Sequence, residues 1–402
     1  DVNLEFNSNY DQDSIKSLSI VKNSQWKNIS KSNDILKGKW VMSGRYNNGE
    51  FRLRKTDLPR KTMKILIAPN EFKGTLTSNE ACKIIAKEAK KIGHEVIEMP
   101  ISDGGDGFLN AIKVAFSDGK IHNIKVKNPY FKDVSVRILT SNNSAYIETA
   151  EICGLRKAKK LSPLIASSYG VGEAIKKALD MGVKKIYIGL GGVITNDGGV
   201  GLANALGVKF LNKKKRELKP GVRDLKNLFK IDVSGLDKRV KGVKFYALSD
   251  VRNPLLGKTG SAVIYGPQKG AKPADIKIIA SGLLRYSRIV EKQLGKEIGY
   301  FNGAGAAGGI CAGLFAFLDA EVLPGAEHVL DVLGAEQKIK ESDIVISGEG
   351  KMDRQTCFGK APYIMFKTAG KYKKSIVFFC GQMTIKNPKA LAKVGIKEIF
   401  AL

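Results

Sequence analysis

Residues 189–199 read Gly-Leu-Gly-Gly-Val-Ile-Thr-Asn-Asp-Gly-Gly. They place a hydroxyl, an amide and a carboxylate (Thr195, Asn196 and Asp197) in one loop with five glycines. Glycines let a backbone turn tightly and come close to a ligand. A loop that runs from a strand into a helix can aim several N–H groups at one anion. This loop follows the strand-like run 185–188 and precedes the apolar run 200–206. The combination suits a phosphate with a metal ion or a proton acceptor beside it. A tight turn by itself needs fewer glycines.

Other loops repeat the pattern. Ser102-Asp103-Gly104-Gly105-Asp106-Gly107, Ser249-Asp250 and Ser347-Gly348-Glu349-Gly350-Lys351-Met352-Asp353 each follow an apolar, strand-like run. Lys73-Gly74 closes a further strand end, where a lysine can neutralise phosphoryl oxygens. In open α/β folds ligands bind at the carboxyl ends of the strands, so loops of this kind imply one shared cleft. Phosphoryl transfer needs little more than positioning and charge neutralisation, and Mg2+ takes one or two carboxylates plus phosphate oxygens. Only three histidines, His94, His122 and His328, occur, far apart in sequence. That argues against a histidine zinc site or a Ser-His-Asp triad.

Two glycine motifs are weaker. Leu256-Gly257-Lys258-Thr259 lacks the first glycine of a phosphate-binding P-loop, because Arg252 stands there. Gly303-Ala304-Gly305-Ala306-Ala307-Gly308 fits G-x-G-x-x-G, but 299–302 make a poor strand. A small-residue helix start that admits a neighbouring backbone or a ligand is the expectation there. The turn Tyr265-Gly266-Pro267-Gln268-Lys269-Gly270 says little alone.

These loops require strands and helices in alternation to hold them. From residue 63 the pattern is regular: a buried strand at 64–68, a capping box from Thr77 to Glu80, a helical stripe ended by Gly93, and a strand at 95–99. That order predicts a parallel sheet with right-handed crossovers. Residues 123–150 read as short strands, 168–181 and 274–294 as helices, and 375–379 as a strand. The run 396–402 reads as a strand that a helix would ordinarily follow, so the C-terminus is expected to be truncated. Residues 1–62, rich in Asn, Ser and Lys, form an extra segment expected to be poorly ordered or partial. A hairpin over 40–53 is expected within it, with Asn48-Gly49 as its turn.

The 402 residues, 43% hydrophobic, suffice for more than one domain. No apolar run reaches the roughly 18 residues of a membrane span. The polar start lacks an apolar leader core. Five scattered cysteines show neither metal nor disulfide spacing, so a cytoplasmic setting is expected. The net charge of +28 raises the possibility of nucleic-acid binding. The lysines are nevertheless spread along the chain without aromatic interleaving, which fits attraction of anionic small molecules better.

In these blocks the chain resembles the type I glycerate kinases, a bacterial family, over nearly all of residues 63–402. Further matching blocks are Ile67-Ala68-Pro69-Asn70-Glu71-Phe72-Lys73-Gly74, Ser168-Tyr169-Gly170-Val171-Gly172-Glu173, residues 265–271 and Gly359-Lys360-Ala361-Pro362. The resemblance implies an α/β fold of two domains. A flavodoxin-like parallel-sheet domain would come from 63–122 plus 290–402, with a second α/β domain, 123–289, inserted. It implies phosphorylation of a D-glycerate hydroxyl by ATP with Mg2+, and favours the 2-phosphate over the 3-phosphate. The chain departs from the family at Asn70 and Glu71 (often Asp and Ser), Val193 (usually Ser) and Gln382 (commonly Arg).

Chemistry then assigns expected roles. Asp197 is the general base, Asn196 positions the hydroxyl, and Lys73 with the Gly191, Gly192 and Gly198 backbone binds phosphoryl oxygens. Asp103 and Asp250 hold Mg2+. Glu349 and Asp353 organise the other wall of the nucleotide site. Neither a nucleic acid nor a membrane is an expected partner, and a homodimer is left open. The alternatives are a dinucleotide-dependent hydroxy-acid oxidoreductase and a basic nucleic-acid-binding protein.

Overall fold

A computed structural model describes residues 2–6, 24–32, 35–42, 49–55, 62–72, 74–155, 161–352, 360–384 and 396–401. The chain forms two compact units, residues 1–101 with 333–402, and residues 102–332.

The first unit carries a parallel sheet of β5 (Lys64–Pro69), β6 (Glu95–Glu98), β15 (Ile344–Met352), β16 (Ser375–Met383) and β17 (Ile396–Ala401). Its order is β17-β16-β15-β5-β6. Counted within the sheet this is the 2-1-3-4-5 order of flavodoxin-like folds, whose switch point lies between the first and third strands, here β5 and β15. β5 is a short apolar run buried along nearly its whole length, as a strand covered on both faces must be. The helix Ser78–Lys91 starts with the expected capping box: the Thr77 hydroxyl accepts from the Glu80 N–H while the Glu80 carboxylate accepts from the Thr77 N–H. Its buried Cys82, Ala86 and Ala89 cluster with Ile65 and Ile67.

Preceding residues form a separate four-stranded sheet, β1 (Val2–Phe6), β2 (Ser24–Ser32), β3 (Ile35–Met42) and β4 (Gly49–Lys55), in the order β1-β4-β3-β2. β3 and β4 pair antiparallel, so the expected hairpin is present. Gly49 is nevertheless a strand residue opposite Trp40, not part of a two-residue turn.

The second unit is built on a sheet ordered β14-β13-β10-β9-β8-β7. Its strands are β7 (Lys120–Lys127), β8 (Asp133–Ser141), β9 (Ser144–Glu148), β10 (Lys185–Gly189), β13 (Lys244–Leu248) and β14 (Glu321–Leu323). β9, β10, β13 and β14 run parallel, and the meander β7-β8-β9 is antiparallel. A two-stranded ribbon, β11 (Lys209–Leu211) with β12 (Lys230–Asp232), lies outside this sheet. The helix Pro273–Leu294 has proline in its first turn, and the Asp275 carboxylate accepts from the Lys272 N–H. The units change over at 101/102 and 332/333, whereas the expected boundaries were 122/123 and 289/290. Strand pairing contributes: β7 joins β8, and β14 joins β13, which draws 120–127 and 321–323 into the second unit.

Candidate active site

Three of the expected loops meet within the second unit. The parallel strands β9, β10 and β13 end in Glu148, in the 190–199 loop and in Ser249-Asp250, and the segment after β14 carries Gly325, Ala326 and Glu327. The 102–107 loop lies against these ends. The Gly104 carbonyl sits so close to Gly189 that any side chain there would collide with it. A Cβ on Gly191 would come within 3.0 Å of the Gly105 Cα. A Cβ on Gly192, at φ +59°, would lie 2.6 Å from an Asp106 carboxylate oxygen. Loop-on-loop packing therefore favours glycine at both positions, by the close Gly105 backbone at Gly191 and by the left-handed φ at Gly192.

Two of the acids gathered here, Asp250 and Glu148, are shifted upward. Asp250 accepts hydrogen bonds from the Ala326 N–H at 3.2 and 3.1 Å. Burial first, then the neighbouring Asp103 carboxylate, push its pKa up to about 7, with Glu327 adding to the rise. Glu148 accepts from the Gly107 N–H at 2.9 Å and the Leu109 N–H at 3.1 Å, which caps the helix Phe108–Lys113. Burial raises it to about 7, and Glu151 and Asp106 contribute. Two neighbouring, half-buried carboxylates favour a shared proton or a cation. Among the described residues no group of three or more metal-ligating side chains forms.

The rest of the glycine loop lies deeper. Gly192 is exposed, but residues 193–200 are all buried. Asp197 is 0% exposed. One of its oxygens accepts from the Ser168 N–H (2.7 Å), the Ser168 hydroxyl (3.0 Å) and the Gly201 N–H (3.2 Å), and the other from the Gly199 N–H (3.2 Å). Burial raises its pKa and these donors oppose the rise. A base must reach the hydroxyl it deprotonates, within roughly 3 Å. A carboxylate so enclosed instead orders the start of the helix Val200–Ala205 and ties it to Ser168. Asn196, also 0% exposed, turns its amide nitrogen to the Ile194 carbonyl at 3.5 Å. Gly198 donates its N–H to the Gly308 carbonyl at 3.1 Å. It therefore contacts protein backbone where a phosphate contact was expected.

That contact explains residues 303–308. Residues 303–305 are a turn and 306–308 open the helix Ala306–Leu318, with no strand before them, so the dinucleotide fingerprint is absent. Gly308 sits at φ +67°, pressed against the Thr195 carbonyl, where a side chain has no room. The small residues admit a neighbouring backbone, the first of the two options expected.

In the first unit the ends of β5 and β15 lie side by side. The Asn70 N–H donates to the Gly348 carbonyl at 2.8 Å, and the Gly350 N–H to the Glu71 carbonyl at 3.3 Å. Glu349 is 5% exposed, with the Lys360 ammonium 3.9 Å from its carboxylate. Lys73 and Asp353 lie outside the described residues.

Sequence reasoning passed over Lys269, Ser168 and Glu148. Lys269 is 3% exposed, and its ammonium donates to the Thr195 carbonyl at 2.7 Å. Its signal was present in part, a lysine between glycines in a rigid turn, but nothing local showed that the turn faced inward. Ser168 read only as the first residue of the helical stretch 168–181. Its side chain serves Asp197 across the unit instead.

A family model described as the glycerate kinase family matches residues 65–402. A glycerate kinase of Halalkalibacterium halodurans is 39% identical over 346 residues, covering 84% of this chain and 90% of that protein. A glycerate 2-kinase of Escherichia coli (strain K12) is 38% identical over 346 residues, covering 85% and 90%. A solved structure from Salmonella typhimurium LT2, assigned as a glycerate kinase 2, aligns with a TM-score of 0.72 at 35% identity. It covers 85% of this chain and 91% of that one.

Proposed function

From the premise that the chain belongs to the glycerate kinase family, we propose that it transfers the γ-phosphoryl group of ATP to a hydroxyl of D-glycerate with Mg2+, giving 2-phosphoglycerate. The observation that carries the chemistry is the Asp103–Asp250 pair at the carboxyl ends of parallel strands, with Asp250 held by the Ala326 N–H and pushed up to about 7. When bound, Mg2+ would offset the charge of the phosphoryl oxygens. The relative named a glycerate 2-kinase supports the 2-position.

The protein's own part is binding and ordering. The Gly191–Gly192 backbone borders the acidic loop and is the outermost stretch of the glycine loop. Asp197 and Asn196 set that loop's shape from beneath. We assign Lys73, Glu349 and Asp353 to the nucleotide on chemistry, supported by the β5/β15 switch point where ligands bind in such sheets. A two-domain organisation with the second domain inserted, and a cytoplasmic location, belong to the same reading. Among the described residues no helix is long and apolar enough to cross a membrane.

Incubation with ATP, Mg2+ and D-glycerate is expected to yield a phosphate ester whose 13C and 31P couplings place it on carbon 2. A carbon-3 ester would overturn the regiochemistry, and no ester the whole reading.

A pH dependence follows. Asp250 binds its proton up to about pH 7 when folded but only to its ordinary, more acidic value when unfolded. Between those values the folded state holds more protons, so this group's contribution to stability falls as pH rises, and its full penalty is felt above pH 7. Mg2+ competes with that proton. The rise in Tm on adding Mg2+ is expected to be larger at about pH 8 than at about pH 5. Asp250→Asn is expected to remove most of the difference. Equal Mg2+ shifts at both pH values, or an unaltered difference in Asp250→Asn, would show that the cation sits elsewhere.

A further inference from the structure

A buried ammonium is costly, and a methionine would fill the same space without a charge. Lys269 stands there nonetheless, at the end of the turn Pro267–Lys269, and it meets two acceptors of the glycine loop. Its Nζ lies 2.7 Å from the Thr195 carbonyl oxygen and 3.3 Å from the Asn196 Oδ1. Gly308 leaves room for it, since a Cβ there would stand 2.9 Å from the Nζ. The Thr195 hydroxyl beside it is buried and has no hydrogen-bond partner among the described residues. Thr195 is therefore held from the lysine through its carbonyl, not its hydroxyl.

An ammonium donates only. It accepts nothing, so it faces the oxygen end of the Asn196 amide and turns the nitrogen towards the Ile194 carbonyl. A neutral amine has a lone pair and does not discriminate between the two ends. The groups that act on Lys269 are Asp197 and Cys153, from the loop itself and the helix Thr149–Cys153. Asp197 also acts on Tyr286, from the helix Pro273–Leu294. Burial lowers the lysine to about 7, and Asp197 works against that.

We propose that Lys269 is a positioning residue for phosphoryl transfer: its ammonium locks the Thr195 carbonyl and the Asn196 amide in one orientation, and through them the Gly191–Gly192 edge of the loop. This rests on the reading that the 189–199 loop serves the kinase reaction.

The test is a pH profile of kcat for the parent and for Lys269→Met, with Tm measured alongside. The parent is expected to lose kcat as pH rises, as the ammonium is titrated. Lys269→Met is expected to fold with a lowered Tm, because the buried Asp197 carboxylate loses its counter-charge, to lose about 10²-fold in kcat with a much smaller change in KM, and to lack the alkaline limb. A parent profile flat through the alkaline range overturns the proposal whether or not the variant folds. So does a folded variant with the parent's kcat, or one that keeps the limb. Absence of glycerate phosphorylation by the parent itself overturns the underlying functional reading, and this proposal with it. Normal parent turnover with an unaffected variant overturns the Lys269 role alone.

Discussion

Asp250→Asn is expected to lower kcat/KM for ATP-dependent glycerate phosphorylation by on the order of 10²-fold or more, and to raise the Mg2+ concentration needed for half-maximal rate. The substitution changes little in volume and keeps an oxygen for the Ala326 N–H. It removes the charge that Asp103 opposes, so the fold should lose no stability and should gain some at high pH. That separation is the point of the experiment. A stable variant with normal turnover at limiting Mg2+ would rule out Asp250 as the cation's carboxylate. Steady-state rates across an Mg2+ titration, with a thermal melt on the same preparation, decide the matter.

Asp197→Ala is expected to fail at the level of folding. The carboxylate satisfies two backbone N–H groups of the helix start together with the N–H and hydroxyl of Ser168, and Asp197 has no exposed surface. Leaving a buried donor unsatisfied costs about 1–3 kcal/mol each. Several together approach the whole stability of a domain, about 5–15 kcal/mol. Loss of soluble protein or a large fall in Tm is the expected result. Asp197→Asn tests the competing role. It retains one oxygen but turns an NH2 towards groups that also donate, so stability and activity should fall together. Were Asp197→Asn to melt like the parent while kcat fell about 10²-fold, the carboxylate would be acting on the substrate's proton after all.

Much of the fold was legible because its signals are local. The run 64–68, the Thr77–Glu80 cap and the alternation of apolar runs with helical stripes each depend on neighbours within a turn or two, and each appears where expected. The hairpin between β3 and β4 was legible too, but its register was not, since register depends on pairing across strands. The limits of the two compact units differ from the expected domain limits for a related reason: β14 belongs to the second unit through its pairing with β13, and no residue within 321–323 records that.

For the site, the sequence by itself determined which residue types were available and that they sit at strand ends. The acid-bearing loops and the glycines of 189–199 are written in its order. Only the tertiary structure decided which of them stay near the surface and which face the core. Asp197 and Asn196 looked like the reacting groups, yet the helix start at 306–309 closes over their loop and the Ser168 N–H takes the carboxylate. Lys269 looked like a turn lysine, yet its side chain ends in the interior on the Thr195 carbonyl. The physical reason is burial: whether a polar group meets water, substrate or another chain segment is set by packing between distant residues, and that packing also sets the protonation of Asp250, Glu148 and Lys269.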